Sequence, residues 1–356
     1  MHDLQHLATI ERIKDTTNRA NFLRLDMNES PEGLPQEFVE SVKQEITASF
    51  LATYPNDESF LQTLARFLEI PRENLCATNG SDMAIRYCFE LFGRADSTFV
   101  SVYPTFEMYA VYCNIFRLNH RKILYEDDFS IDVHAILESI TDDVSMVALL
   151  NPNNPIGNVY AKNEVESVIK KAKDVGAIVI IDEAYYGFAP QSFLPLALKY
   201  DNVLVLRTFS KLFALASLRL GFVCAHPKMI ATFQKIMPTF EVNALALLFG
   251  QRLLENHAII ESLQQTQQQG RETLMQLLQQ AHYDYKMMFG NYLFIHPHSD
   301  VATLAQRLKE HNILIKTYRH AILKDMIRIT TGSPKTMQHF FDIFYEIDNR
   351  TMGGGV

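Results

Sequence analysis

The stretch Leu206-Arg-Thr-Phe-Ser-Lys-Leu-Phe-Ala-Leu-Ala-Ser-Leu-Arg-Leu-Gly-Phe222 decides how this chain is read. The apolar run Asn202-Val-Leu-Val-Leu206 feeds into it, so Lys211 falls on the loop just beyond a buried strand. Thr208 and Ser210 precede the lysine, and Arg219 follows it. A charged lysine among apolar residues either snorkels to water or has its pKa lowered by its surroundings. A lysine of the second kind can condense with an aldehyde. An isolated Ser-Lys pair at a strand end reads far more readily as a surface feature, so the rest of the chain has to decide.

Outward from this stretch, short apolar runs alternate with helical patterns. Asn74–Thr78, Ser97–Val102, Lys122–Tyr125, Val144–Leu150, Ala177–Ile181, Val203–Leu206 and Gly221–Ala225 read as strands. Helical faces are expected from Pro35, over Glu58–Ile70 and Met83–Phe92, in a helix containing Tyr109 and Tyr112, and over Asn163–Val175. This alternation predicts an α/β fold with a mainly parallel sheet covered on both faces. Ligands of such sheets sit beyond the carboxyl ends of the strands. Four polar groups follow strands directly: Asn79–Asp82, Asn151–Asn154, Asp182 with Tyr185, and Ser210 with Lys211. They point to one site.

The rhythm changes past residue 230. A long helix through the glutamine-rich Gln264–Gln269, read as a solvated connector, leads to strands at Tyr292–His296, Ile313–Ile315 and Met326–Thr330 and helices at Val301–His311 and Lys335–Ile347. These form a smaller carboxyl-terminal α/β domain. The expected division is residues 1–45 as an amino-terminal arm contributing to the small domain, 46–250 as the large domain, and 251–356 as connector and small domain. A chain of 356 residues is long enough for two cores.

Composition narrows the function classes. Hydrophobic residues make up 47% and charged ones 21%, ordinary for a globular protein. A net charge of −8 argues against a nucleic-acid partner. No apolar run reaches the length of a membrane span, and Met1–Arg12 lacks a leader pattern. Met352–Val356 reads as a flexible end without function. Cys76, Cys88, Cys113 and Cys224 are scattered, which predicts reduced thiols in the cytoplasm and no metal site.

The polar groups suit an aldehyde that carries a ring nitrogen and a phosphate. Lys211 would meet the aldehyde, and Asp182 would hold the ring nitrogen protonated. Gly80, Ser81 and Asp82 at a helix start, with Thr208, Ser210 and Arg219, would take the phosphate. Phe106 could stack on the ring, and Asn154 and Tyr185 could bond its oxygen. Taken alone, Asp182 reads as well as a cap or an ion-pair member, and Gly-Ser-Asp as a plain N-cap.

Asn151-Pro-Asn-Asn-Pro-Ile-Gly157, Asp182-Glu-Ala-Tyr185 and Thr208-Phe-Ser-Lys211 with Arg219 resemble the fold-type I pyridoxal 5′-phosphate (PLP) aminotransferases, whose fold is aspartate-aminotransferase-like. Leu25–Pro31, Asn79–Asp82, Pro104–Phe106 and Arg328-Ile-Thr-Thr-Gly332 are similar to the histidinol-phosphate aminotransferase branch. The resemblance covers nearly the whole chain. It implies a homodimer in which Tyr54 reaches the neighbouring subunit's PLP phosphate. It also implies that Lys211, Asp182 and Tyr185 carry the chemistry, and that Arg328, Lys316, Arg319 and Asn28 meet the substrate. The implied reaction is transamination of a small phosphorylated amine, such as histidinol phosphate, with 2-oxoglutarate or glutamate. Alternatives are a phosphonate or aromatic amine, a decarboxylase of the threonine-phosphate kind, and a non-catalytic PLP-binding module. Two features depart from the branch: no tyrosine precedes Tyr54, and Lys316 stands where an arginine is usual.

Overall fold

Seven apolar runs assemble into one sheet, and a second, smaller sheet is built from both ends of the chain. The computed structural model describes Leu7 and residues 18–350. The amino-terminal segment searched for a leader, apart from Leu7, and the Met352–Val356 tail lie outside the described residues.

In chain order the elements are β1 (Leu23–Leu25), α1 (Gln36–Lys43), α2 (Ala48–Ala52), α3 (Glu58–Leu68), β2 (Leu75–Thr78), α4 (Gly80–Phe92), β3 (Thr98–Tyr103), α5 (Glu107–Phe116) and β4 (Asn119–Leu124). There follow α6 (Val133–Glu138), β5 (Val144–Leu150), α7 (Lys162–Asp174), β6 (Ile178–Asp182), α8 (Leu194–Lys199), β7 (Val203–Thr208), β8 (Gly221–Ala225), α9 (Pro227–Gln234) and α10 (Ala244–Leu254). The last are α11 (His257–Gln280), β9 (Tyr285–Lys286), β10 (Tyr292–Ile295), α12 (Val301–Glu310), β11 (Ile313–Thr317), β12 (Ile327–Thr330) and α13 (Pro334–Arg350).

The chain divides into two units. The larger contains Glu37–Ser210 and Leu215–Glu255; the smaller contains residues 18–36, Lys211–Ala214 and 256–350. Residues 37–45 therefore group with the larger unit, and the long helix α11 groups with the smaller one.

The larger sheet has the order β2-β8-β7-β6-β5-β3-β4. Strands β4, β3, β5, β6 and β7 run parallel, joined by helical crossovers, while β8 runs antiparallel to both β7 and β2. Every residue of β5, β7 and β8 is buried, as expected of strands covered on both faces. The register sets Asp182 of β6 beside Leu150 on one side and Leu206 on the other. Three functional strand ends are thereby aligned in one layer.

The smaller sheet has the order β1-β11-β12-β10-β9 and is antiparallel except where β1 joins β11. Leu274 and Leu278 of α11, Leu304 of α12 and Phe340 and Phe344 of α13 share its core with Leu293 and Ile329. Residue 270 must be glycine, because a Cβ there would stand 1.7 Å from the Gly332 carbonyl oxygen. That approach seats α11 against the loop that follows β12.

Candidate active site

Within the larger unit an anion cradle forms where β2 passes into α4. Sequence periodicity places this helix from Met83, but it begins at Gly80, so Gly80, Ser81 and Asp82 are its first turn. Gly80 makes the change of direction in one residue with φ +75°. The carboxylate of Glu241 holds the turn from outside, accepting from the Asn79 N–H (3.1 Å) and from the Tyr87 hydroxyl (2.8 Å).

Arg219 closes the cradle. It adopts a left-handed conformation, and its guanidinium lies over Gly80: a Cβ on that glycine would stand 2.6 Å from Nη2. Nη1 donates to Ser210 Oγ and the Ala216 carbonyl, both at 3.2 Å, and Nη2 to Asp82 at 3.3 Å. Thr208 Oγ1 lies 2.9 Å from Ser210 Oγ. Helix N-terminus, hydroxyls and guanidinium thus converge as a phosphate requires.

Asp182 ends β6 and is 3% exposed. Its Oδ1 accepts from the Ala184 N–H (3.0 Å) and its Oδ2 from the Tyr109 hydroxyl (2.9 Å). Among the described residues it has no ion-pair partner. Burial pushes its carboxyl up to about 6, against the pull of the two hydrogen bonds. A buried carboxylate without a cation is costly, and a protonated ring nitrogen would supply the missing charge. Successive strand residues face opposite ways. Its neighbour Glu183, wholly buried, accepts from Arg207 Nε (3.0 Å) and Nη2 (2.8 Å), from Ser192 and from the Phe193 N–H. Arg207 in turn lies 3.8 Å over the Tyr186 ring. This buried ion pair ties the ends of β6 and β7 together.

Phe106 caps α5 and meets Tyr109 edge-on, with ring centroids 6.4 Å apart. Asn154 lies in the loop after β5, where Asn153 bonds the Pro104 carbonyl and Thr105 and so ties that loop to the one carrying Phe106. Tyr185 is buried just past β6. Tyr54 is 76% exposed and stacks on Phe240 at 4.3 Å. It borders a groove of about 470 Å³ with Phe50, Phe60, Leu247 and Gln251.

In the smaller unit, Lys211 Nζ donates to the Met27 carbonyl (2.8 Å), and Arg328 Nη2 to the Asp26 carbonyl (2.7 Å). Arg328 is nearly buried between the rings of Tyr292 (5.0 Å) and Tyr318 (5.6 Å). Lys316 is its ladder partner on β11, and Lys316 Nζ lies 5.7 Å from the Tyr318 ring. Asn28 has φ +58°, and its N–H and side-chain oxygen both bond the Thr330 hydroxyl. Arg319 is exposed on the turn after β11.

Sequence reasoning passed over Tyr109, the Glu183–Arg207 pair, Glu241 and the tyrosines around Arg328. Only Glu183 carried a local signal, as a second acid following a buried run.

A mainly parallel sheet with an anion cradle at a helix start, and a buried carboxylate at a strand end without an ion-pair partner among the described residues, suit a PLP enzyme. The comparisons agree. The family model for aminotransferase class I and II matches residues 20–344, and the chain belongs to that family of PLP-dependent aminotransferases. It is 32% identical over 340 residues to the histidinol-phosphate aminotransferase of Brachyspira hyodysenteriae, covering 92% of this chain and 93% of that protein. It is 35% identical over 239 residues to the Pyrococcus furiosus enzyme of the same name, covering 67% of this chain and 69% of that protein. The fold matches histidinol-phosphate aminotransferase from Sinorhizobium meliloti, solved in complex with PLP, with TM-score 0.84 at 20% identity over 97% of this chain and 98% of that one. It also matches a Thermus thermophilus aspartate aminotransferase double mutant with TM-score 0.78 at 16% identity over 98% and 100% of the two chains. The expected aspartate-aminotransferase-like architecture is therefore the one observed. Among the described residues no helix is long and apolar enough to cross a membrane, and no group of three or more His, Cys, Asp or Glu side chains is placed to hold a metal ion.

Proposed function

We propose that the chain transaminates a small, phosphorylated amine of the histidinol phosphate kind, with 2-oxoglutarate and glutamate as the acceptor couple. The observation that carries the substrate reading is the pairing of Arg328 with Lys316 across β12 and β11, two cations side by side on one sheet face. A substrate with an anionic group, and a second substrate with carboxylates, both suit such a pair. The names of the relatives point the same way.

PLP supplies an aldehyde carbon that an amine can join and a ring that accepts the electron pair released at the substrate Cα. This chain's residues supply the rest. The α4 start at Gly80, Ser81 and Asp82, with Thr208, Ser210 and Arg219, would hold the phosphate, and Phe106 would stack on the ring. Asp182 would hold a proton on the ring nitrogen, and Asn154 and Tyr185 would bond the ring oxygen. Lys211 would meet the aldehyde of the cofactor, and its amine would serve as the base that takes the proton from the substrate Cα. Arg328 binds an acidic group with a two-pronged fork, while Lys316 and Arg319 add charge and Asn28 orients the segment that both Lys211 and Arg328 bond.

A homodimer completes this reading: exposed Tyr54 would serve the cofactor phosphate of a second copy. A cytoplasmic setting is supported by the four free cysteines, all buried. The test is a screen of amino donors and keto acceptors, phosphorylated donors included, followed by the cofactor's spectral change. Keto product with pyridoxamine phosphate supports transamination, whereas release of carbon dioxide from the donor would replace it by decarboxylation. Turnover confined to unphosphorylated donors removes the phosphate reading.

A further inference from the structure

Tyr109 is wholly buried on α5, and its hydroxyl meets Asp182 Oδ2 at 2.9 Å. Its ring is fixed on several sides: stacked on Phe99 (5.5 Å, 10° between planes), beside Phe89 (6.4 Å), and edge-on to Phe106 (6.4 Å). A phenol so enclosed has no water to turn to, and a carboxylate is the acceptor it bonds best. Asp182 meanwhile has about four acceptor sites and uses two within the chain, leaving room for one more donor.

We propose that Tyr109 is a positioning residue for transamination: its hydroxyl holds Asp182 ionised and oriented, so that the proton stays on the cofactor's ring nitrogen. The proposal rests on the ring-nitrogen role given to Asp182 above.

The surroundings make such a device necessary. Asp82 and Cys88 on α4 and Glu183 just past β6 are the other titratable groups that act with Asp182. Asp82 and Glu183 disfavour its ionised form, as does burial, while Tyr109 and the Ala184 N–H favour it. The Ala184 bond is local to the strand end. Tyr109 brings the other from a helix 73 residues away in sequence. Without it the carboxyl would compete with the ring for the proton, and a neutral ring accepts the electron pair from the substrate Cα less well.

The experiment uses Tyr109→Phe, which removes one oxygen and keeps the packed ring. In apoenzyme with ¹³C-carboxyl aspartate, the Asp182 resonance, assigned by its loss in Asp182→Asn, should titrate about one to two pH units higher than in wild type. In holoenzyme loaded with ¹⁵N-PLP, the ring resonance should move away from the pyridinium position, and kcat should fall about tenfold with KM little changed. An unshifted titration and an unshifted ring resonance would overturn the proposal, since a packing role moves only the melting temperature. If Asp182→Asn itself leaves the ring resonance in place, the role of Asp182 is what fails. If it moves the resonance and Tyr109→Phe does not, only the role of Tyr109 fails. Should Tyr109→Phe not fold, the Tyr109 hydroxyl proton in wild type provides the reading: downfield and slow to exchange supports the bond, and its absence overturns it.

Discussion

Lys211 and Arg328 donate to carbonyls one residue apart: Nζ of the first to Met27 at 2.8 Å, Nη2 of the second to Asp26 at 2.7 Å. A three-residue run, Asp26–Asn28, thus orients the two cations with the largest parts in the proposed chemistry. Asn28 fixes the run through its left-handed backbone and its bonds to Thr330.

Lys211 is the residue whose loss is expected to be most complete. Lys211→Ala should leave no borohydride-reducible link between chain and cofactor, read by mass spectrometry of the reduced protein, and turnover should fall by several orders of magnitude. A link found on another lysine would displace Lys211 from its role.

Arg328 should act on substrate and leave the cofactor alone. Arg328→Ala is expected to lower kcat/KM roughly 30- to 100-fold for anionic substrates, from the loss of a charge-assisted fork, with PLP affinity unchanged. Arg328→Lys should recover only part of this, because an ammonium cannot reproduce the planar fork or its stacking between Tyr292 and Tyr318. Lys316→Ala should penalise phosphorylated donors more than unphosphorylated ones; equal loss on both would separate Lys316 from phosphate.

The cradle gives a prediction about cofactor affinity. Gly80→Ala puts a Cβ 2.6 Å from Arg219 Nη2 at a backbone conformation that disfavours any side chain. Arg219 must move, and the Kd for PLP, measured by absorbance titration of the apoenzyme, should rise about tenfold or more. An unchanged Kd would mean that Arg219 is not needed over the helix start.

Stability of the apoenzyme should carry the signature of Asp182. Burial raises its carboxyl from 3.8 to about 6, so its contribution is fully present below about pH 4 and is lost as pH rises to 6. His120 works in the opposite sense. Burial, with Lys122 nearby, lowers it from 6.5 to about 4, so its contribution is present above pH 6.5 and lost as pH falls through about 4. Comparing wild type with Asp182→Asn cancels His120. The difference in unfolding free energy, from denaturant titrations at several pH values, should decline by up to about 3 kcal/mol between pH 4 and 6 and stay flat above. A difference independent of pH would mean that Asp182 is not buried as described.

Much of the larger unit was legible from local pattern. Val144–Leu150 and Gly221–Ala225 are strands with the expected bounds, because an apolar run between turn residues has few other ways to hide itself. Boundaries slipped where a polar residue could join an element: α4 takes in Gly80–Asp82, and β4 starts at Asn119 because an edge strand tolerates polar residues on its open side. The candidate site residues proposed from the sequence are those carried by motifs that resemble a known family. Tyr109 is not among them, for a tyrosine on an apolar helix face is as good a core residue as a hydrogen-bond donor.

The sequence by itself determined the alternation of strands and helices and the strand-end placement of Asp182, Ser210 and Lys211, because each depends on spacing along a few consecutive residues; the class of cofactor came with the family resemblance that the motifs carry. Tertiary structure alone decided that Arg219 lies over Gly80, that Tyr109 reaches Asp182, that Glu183 is paired with Arg207, and that Lys316 stands beside Arg328. These relations join residues 12 to 139 positions apart. Their cause is sheet register and helix packing, which are set by the whole core and by no single segment of it.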